Sequence, residues 1–173
     1  MKIKLFALSL IAAFSLGNLS AQKDGKKMAS PPAKLETSIG GAKVIVKYSQ
    51  PSVKGREIFG GLVPFGKVWR TGANDATTIS FSEDMKVNGK ELKAGTYTLF
   101  TIPGEKEWTF IFNSELGQWG AYKYDEKKDV LKVTSKPIKH KMTEQMTFSS
   151  DRDNLYLDWA ETRVALKIEP AVF

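Results

Sequence analysis

The sequence contains no cysteine among its 173 residues and a single histidine, His140. The first absence excludes a disulfide framework, a thiolate nucleophile and a cysteine-ligated metal. It also excludes a lipoprotein, because there is no cysteine to carry the lipid. The second absence leaves zinc without its usual ligands, since such a site takes three or four nitrogen, sulfur or carboxylate donors. His140 lies between Lys139 and Lys141 in a basic, polar stretch and reads as a surface histidine. A histidine-based serine triad would have to use it, and no Gly-x-Ser-x-Gly elbow is present. There is no nucleotide-binding loop. Asp151, Asp153 and Asn154 carry oxygens suited to calcium, but no glutamate follows at EF-hand spacing, and the composition is that of a turn. Neither metal nor cofactor is expected.

Long apolar runs are also scarce. The main one, Leu5 to Leu16, is broken by Ser9 and Ser15. It is shorter than the roughly 20 residues that a membrane span needs. Lys2 and Lys4 precede it, and Leu19-Ser20-Ala21 follows. That pattern predicts a secretory signal peptide over residues 1–21, cleaved after Ala21, leaving no transmembrane segment. The chain is expected to be exported, to the periplasm or the extracellular space. Its formal net charge is +7, of which Lys2 and Lys4 contribute two, so residues 22–173 carry +5. These charges are scattered rather than gathered into a basic stripe with reading aromatics, so no nucleic-acid partner is expected. Residues 22–33, with three lysines and the Pro31-Pro32 pair, read as a flexible linker. A single domain is expected over residues 34–170.

The 3.6-residue period of helices is missing too. Val44, Val46 and Tyr48 alternate with Lys43 and Lys47. Thr77, Ile79 and Phe81 form a second alternating set, and Trp108, Phe110 and Phe112 a third. Tyr97 to Ile102 is apolar or Thr throughout and reads as a strand buried on both faces. Asn88-Gly89 is a strong hairpin signal, because both central residues of the tight turn need positive φ. Leu131 with Val133, then Met146 with Phe148, add further strands. Leu155, Leu157 and Trp159 read as one strand, and Val164, Leu166 and Ile168 as the next. About nine or ten short strands predict a single antiparallel β-sandwich, with a closed β-barrel as the alternative. The expected core includes Val44, Val46, Ile79, Phe81, Leu99, Phe110, Leu157, Val164 and Leu166.

One stretch departs from this pattern. Pro51 to Thr78 is too rich in glycine for a helix and too long for a turn. It interleaves Lys54, Arg56, Lys67 and Arg70 with apolar residues that include Trp69, then ends in Thr71, Gly72, Asn74, Asp75, Thr77 and Thr78. A second long connection, Asn113 to Lys128, carries Trp119, Tyr122 and Tyr124. Long loops on a rigid scaffold are where sites tend to lie. The candidate binding residues are Lys54, Arg56, Lys67, Trp69, Arg70, Thr71, Asn74, Asp75, Trp119 and Tyr122. The cations suit an anion, and Trp69, Trp119 and Tyr122 offer faces for a sugar ring. The plainer reading makes Trp69 a core anchor and the arginines caps of loop carbonyls. Arg70 and Asp75, five residues apart around Gly72, are expected to form an ion pair.

Two functions follow. One is a non-catalytic binding module for an anionic small molecule or a glycan. The other is a hydrolase using Asp75 or Glu57 with Arg70 and Lys67. A carboxylate pair that includes Asp158 or Glu161 is weaker, since both also fit solvent-facing strand positions. A carboxylate buried beside Arg70 favours the enzyme, whereas an open groove lined by Trp69 and Trp119 favours binding.

The segments PSVKGREIFGGLVPFGKVWRTGANDATTISF, LKAGTYTLFTIPGEKEWTFIFN and LGQWGAYKYDEKKD closely resemble a family of exported bacterial proteins, mostly from Bacteroidetes. That family is known as the domain of unknown function numbered 2911. The resemblance runs from about Ser30 to Ile168. It implies an exported single domain, periplasmic or surface-associated, in a Gram-negative cell. It implies no activity.

Overall fold

The computed structural model describes residues 29–171. The expected signal peptide and most of the expected linker lie outside the described residues. Two glycines with positive φ, Gly40 at 57° and Gly41 at 87°, make the first turn. They fold β1 (Pro32–Ile39) onto β2 (Ala42–Ser49) in antiparallel register. Pro32 opens β1, an edge strand, where the missing N–H costs little. The remaining strands are β3 (Thr78–Phe81), β4 (Met85–Val87), β5 (Lys90–Leu92), β6 (Gly95–Ile102), β7 (Trp108–Asn113), β8 (Asp129–Ser135), β9 (Ile138–Ser150) and β10 (Asn154–Pro170). As the sequence predicts, Asn88 and Gly89 turn between β4 and β5 with positive φ, 46° and 80°. Among the described residues the helical structure is one 3-10 turn, Glu126–Lys128, and no helix is long and apolar enough to cross a membrane.

The strands form two antiparallel sheets, ordered β1-β2-β3-β6-β7-β8 and β5-β4-β10-β9. Neither closes on itself, so the architecture is the sandwich and not the barrel. Alternate residues of each strand meet between the sheets. All nine expected core residues are buried there. At one end the core becomes aromatic. Trp69 stacks on Trp159 with centroids 5.8 Å apart, and Phe59 packs edge-on against Trp69, Trp108 and Trp159.

The expected pair of final strands is one long strand, β10. Its inward residues change parity, from 155, 157 and 159 to 164, 166 and 168. Chain reversal would also allow that change, but Ala160 to Arg163 contains no turn-forming residue. The pairing with β9 instead shifts register on both sides of Ala160, whose φ is +52°. A bulge moves the strand's apolar set to the other parity while the strand continues. β9 is likewise longer than its apolar residues suggest, running through His140 to Ser150.

β6 is buried on both faces, as its composition predicts. Tyr97 and Leu99 join the main core. Phe100 and Ile111 point outward and form a second cluster, roofed by Val68, Ala76, Ala121 and Tyr124. The long connection after β7 is therefore a cover for the outer face of the six-stranded sheet.

Candidate functional site

β3 is four residues long, whereas its neighbour β6 has eight. The central stretch supplies the missing pairing. Trp69 exchanges both backbone hydrogen bonds with Thr101, at 2.7 and 2.9 Å. This fixes Trp69 over the open end of the core and turns its ring inward. Its indole N–H donates to Gly72 O at 3.1 Å. Thr77 then closes the loop, its hydroxyl donating to Thr71 O at 2.7 Å. At the other end of the stretch, Val53 N–H donates to Glu144 O at 2.8 Å, tying it to β9. The loop is held in a conformation its side chains do not favour. Thr71 and Asn74 have φ of +56° and +58°, and a β-branched residue there is an outlier. Gly72 is needed between them, since a Cβ would lie 3.0 Å from Ser49 O.

Between this stretch and β10 lies a recess of about 290 Å³. Arg56, Lys67, Trp69 and Arg70 line it, together with Trp159 and a rim of small and apolar residues. Three of the four expected cations thus converge, and no Asp or Glu is among the lining residues. Arg56 is partly engaged, its Nε donating to Val53 O at 3.0 Å and its Nη2 to Ser52 O at 2.6 Å. Lys67 is exposed and Arg70 half-buried, and neither joins an ion pair among the described residues. Two N–H groups of these lining residues, Arg70 Nε and Trp159 Nε1, are buried without an acceptor among the described residues.

The other expected residues have different positions. Lys54 is exposed outside the recess, its backbone N–H donating to Glu144 Oε1 at 2.9 Å. Thr71 is buried beneath the loop, its hydroxyl 3.1 Å from that of Thr101. Asn74 donates to Ser30 O at 3.2 Å and pins the approach to β1. Trp69 is only 9% exposed, so the core-anchor reading describes most of its ring. Asp75 is exposed, faces away from the recess and makes no ion pair with Arg70, so the expected pair does not form. With φ positive on both sides of Gly72, the turn places the two residues in the linings of separate cavities instead of folding them together. Trp119 is bridged to the Asp75 backbone and, like Tyr122, is strongly exposed. The Tyr122 ring covers Gly120, where a Cβ would lie 2.8 Å from the ring and 3.7 Å from Arg70 Nη1. Neither arrangement set out from the sequence is present as stated. Glu57 is exposed and no carboxylate among the described residues lines the recess with Arg70, while Trp69 and Trp119 do not share a groove.

Trp159 is an aromatic lining residue that the sequence does not single out. It alternates with Leu155 and Leu157 and so looks like ordinary core. Asp158 beside it is not a solvent-facing residue. It is 7% exposed and gripped by Arg163, with Nε–Oδ1 and Nη2–Oδ2 both 2.7 Å. His140 is not a free surface histidine either, for its Nε2 lies 3.6 Å from Asp158 Oδ2 with the side chain only 19% exposed. Asp151 forms a turn. Its Oδ1 accepts from the backbone N–H groups of Asp153 and Asn154 at 3.0 and 2.8 Å. The Tyr156 hydroxyl, donating to Oδ2 at 2.5 Å, leads these contacts in holding the carboxyl down at about 2. Among the described residues no group of three or more His, Cys, Asp or Glu is placed to hold a metal ion.

Compared with known proteins, the chain matches one family model, described as a protein of unknown function (DUF2911), over residues 30–168. No curated protein and no solved structure matches it.

Proposed function

The chain belongs to the DUF2911 family of proteins of unknown function, and we propose that it acts as a non-catalytic binding module for a small anionic ligand held in the recess beside Arg70. One observation carries this reading: the polar side chains of the lining offer positive charge and donors, with no carboxylate among them. Arg70 Nε–H and Trp159 Nε1–H are buried without an acceptor among the described residues. Each such group costs about 1–3 kcal/mol. A ligand that brings oxygen acceptors to the recess meets the charged ends of Arg70, Lys67 and Arg56, which supply the countercharge. Carboxylate and phosphate groups suit a guanidinium fork. The volume lies at the small end of ligand pockets. The hydrolase alternative through Asp75 or Glu57 has no support from the geometry, since neither carboxylate lines the recess.

The test is a thermal scan with phosphate, sulfate and citrate at about 10 mM. An anion with Kd near 0.1 mM stabilises the fold by about 2.7 kcal/mol, and Tm rises by about 5–10 °C. The shift should fall to less than half in Arg70→Met and in Lys67→Met. No shift with any of the three anions, or equal shifts in both variants, would sink the reading.

We also infer export to the periplasm or cell surface of a Bacteroidetes-type bacterium. The motivation is Lys2, Lys4, the Leu5 to Leu16 run and the small residue Ala21. The proposed layout is a signal peptide over residues 1–21, a linker over 22–33 and the sandwich domain over 34–170. The intact mass of protein from the periplasmic fraction should be that of a chain beginning at Gln22, with or without cyclisation of that glutamine. Recovery of intact chain only from the cytoplasm would contradict it.

A further inference from the structure

A second depression, about 490 Å³, lies on the outer face of the six-stranded sheet and shares no lining residue with the recess. It follows from how that face is covered. Over β6 and β7 the outward Phe100 and Ile111 are roofed by the connection after β7. Over β1 and β2 the outward Lys34 and Lys47 are exposed. The depression is the step between these halves. Lys34, Lys47 and Thr78 form a row of cross-strand partners along its floor, and Asp75 and Ala76 form a wall.

Trp119 stands at this step. It is bridged antiparallel to Asp75, and partners in such a bridge project from the same side with Cβ atoms about 5 Å apart. Asp75 lines the depression; Trp119 is not itself a lining residue but stands next to it as the bridge partner of Asp75. Trp119 is 62% exposed, whereas the other three tryptophans are at 9%, 1% and 1%. Its backbone is nonetheless fixed. Ala76 N–H donates to Gln118 O at 2.9 Å, and Gly120 N–H donates to Asn74 O at 3.2 Å. The buried Gln118 side chain donates to Glu115 O at 2.9 Å. The loop is locked while its largest apolar side chain remains in water.

We propose that this groove binds an oligosaccharide chain, with Trp119 stacked on one sugar ring and Asp75 and Lys47 hydrogen-bonded to its hydroxyls. A pyranose ring has an apolar C–H face and a rim of hydroxyls that both donate and accept. A flat indole matches the face. A carboxylate and an ammonium that are in no ion pair among the described residues match the rim, with the Thr78 hydroxyl between them in kind. An open groove accommodates a chain that continues at both ends. A protein partner fits less well, since interface centres are depleted of the charges that line this groove. The inference is independent of the anion reading, because the two sites share no residues.

The test uses the distribution of tryptophans. Acrylamide quenches Trp119 emission in preference to that of the three buried indoles. Cellotetraose, xylotetraose, mannotetraose, chitotetraose and tetragalacturonate are each added at about 10 mM, enough to detect a Kd of about 1 mM. At least one should protect Trp119. For that sugar, Trp119→Ala should weaken calorimetric binding at least about tenfold and Asp75→Asn severalfold. Both altered side chains are exposed, and near-ultraviolet circular dichroism checks that the fold persists. The proposal is overturned if no sugar protects Trp119, or if Trp119→Ala binds as the unmodified protein does. It is also overturned if the indole is already shielded by self-association without sugar, which light scattering would detect and which would assign the face to a second copy.

Discussion

Replacing Arg163 by methionine removes the guanidinium from Asp158 while keeping most of the stem. The Asp158 carboxylate is 10% exposed as a side chain and accepts two hydrogen bonds of 2.7 Å from Arg163. Without that partner it is a nearly buried charge with no fork to hold it. Breaking a fully buried pair costs about 3–5 kcal/mol, most of it the penalty on the survivor. Two features reduce that figure here. Arg163 is 27% exposed, so water reaches the carboxylate once the guanidinium is gone. His140 Nε2 lies 3.6 Å from Oδ2 and is placed to donate in its stead. The expected cost is about 2 kcal/mol, a fall in Tm of about 4–8 °C for a domain of this size. Arg163→Lys keeps the charge but loses the two-pronged geometry and should cost about 1 kcal/mol. Asp158→Leu with Arg163→Met removes both charges and should recover at least half of the single-variant loss. Urea denaturation of the two singles and the double gives the coupling energy. A loss below about 0.5 kcal/mol in Arg163→Met, or additive losses across the cycle, would refute the account.

Ala160→Gly should stabilise the domain by about 0.5 kcal/mol: relief of a left-handed alanine gives about 1, and loss of a half-buried methyl takes back about half. A measured loss of stability would show that the bulge needs the methyl for packing. Phe100→Ala should cost about 3 kcal/mol and speed amide exchange in residues 117–124, because Phe100 anchors the cover through Tyr124, 5.2 Å away between ring centroids. Unchanged exchange there would mean that the backbone bonds hold the cover without the outer cluster. Acid should weaken the fold through Asp151, whose contacts with Tyr156 and its own turn hold it down at about 2, and through Glu36, held down at about 2 by Lys34 and then Lys43. For carboxyls depressed by folding, the contribution is complete above their ordinary values and is lost as pH falls through about 2. Urea midpoints should therefore decline from pH 5 to pH 2, and less so in Asp151→Asn with Glu36→Gln; equal decline in that double variant would reject these two groups as the source.

The sequence by itself determined the local structure. Period-two alternation placed Val44, Val46, Ile79 and Phe81 on inward faces, and Asn88-Gly89 required a hairpin. The two-sided apolar content of Tyr97 to Ile102 required a cover on the outer face. These are properties of a few neighbouring residues, set by backbone sterics and side-chain direction. The four cations were legible as a group for the same reason, and three of them line one recess. What they converge on was not legible. Trp159 reaches the recess only because β10 lies across from Trp69 in the opposing sheet, and its alternation with Leu155 and Leu157 is that of any core residue. Five residues separate Arg70 from Asp75 and also Asp158 from Arg163, yet only the second pair forms. On β10 a bulge at Ala160 brings the two side chains to one face. At Gly72 the positive φ of Thr71 and Asn74 places them in the linings of separate cavities. Separation along the chain limits which side chains can meet, but the backbone path between them, fixed by pairing with distant strands, decides whether they do.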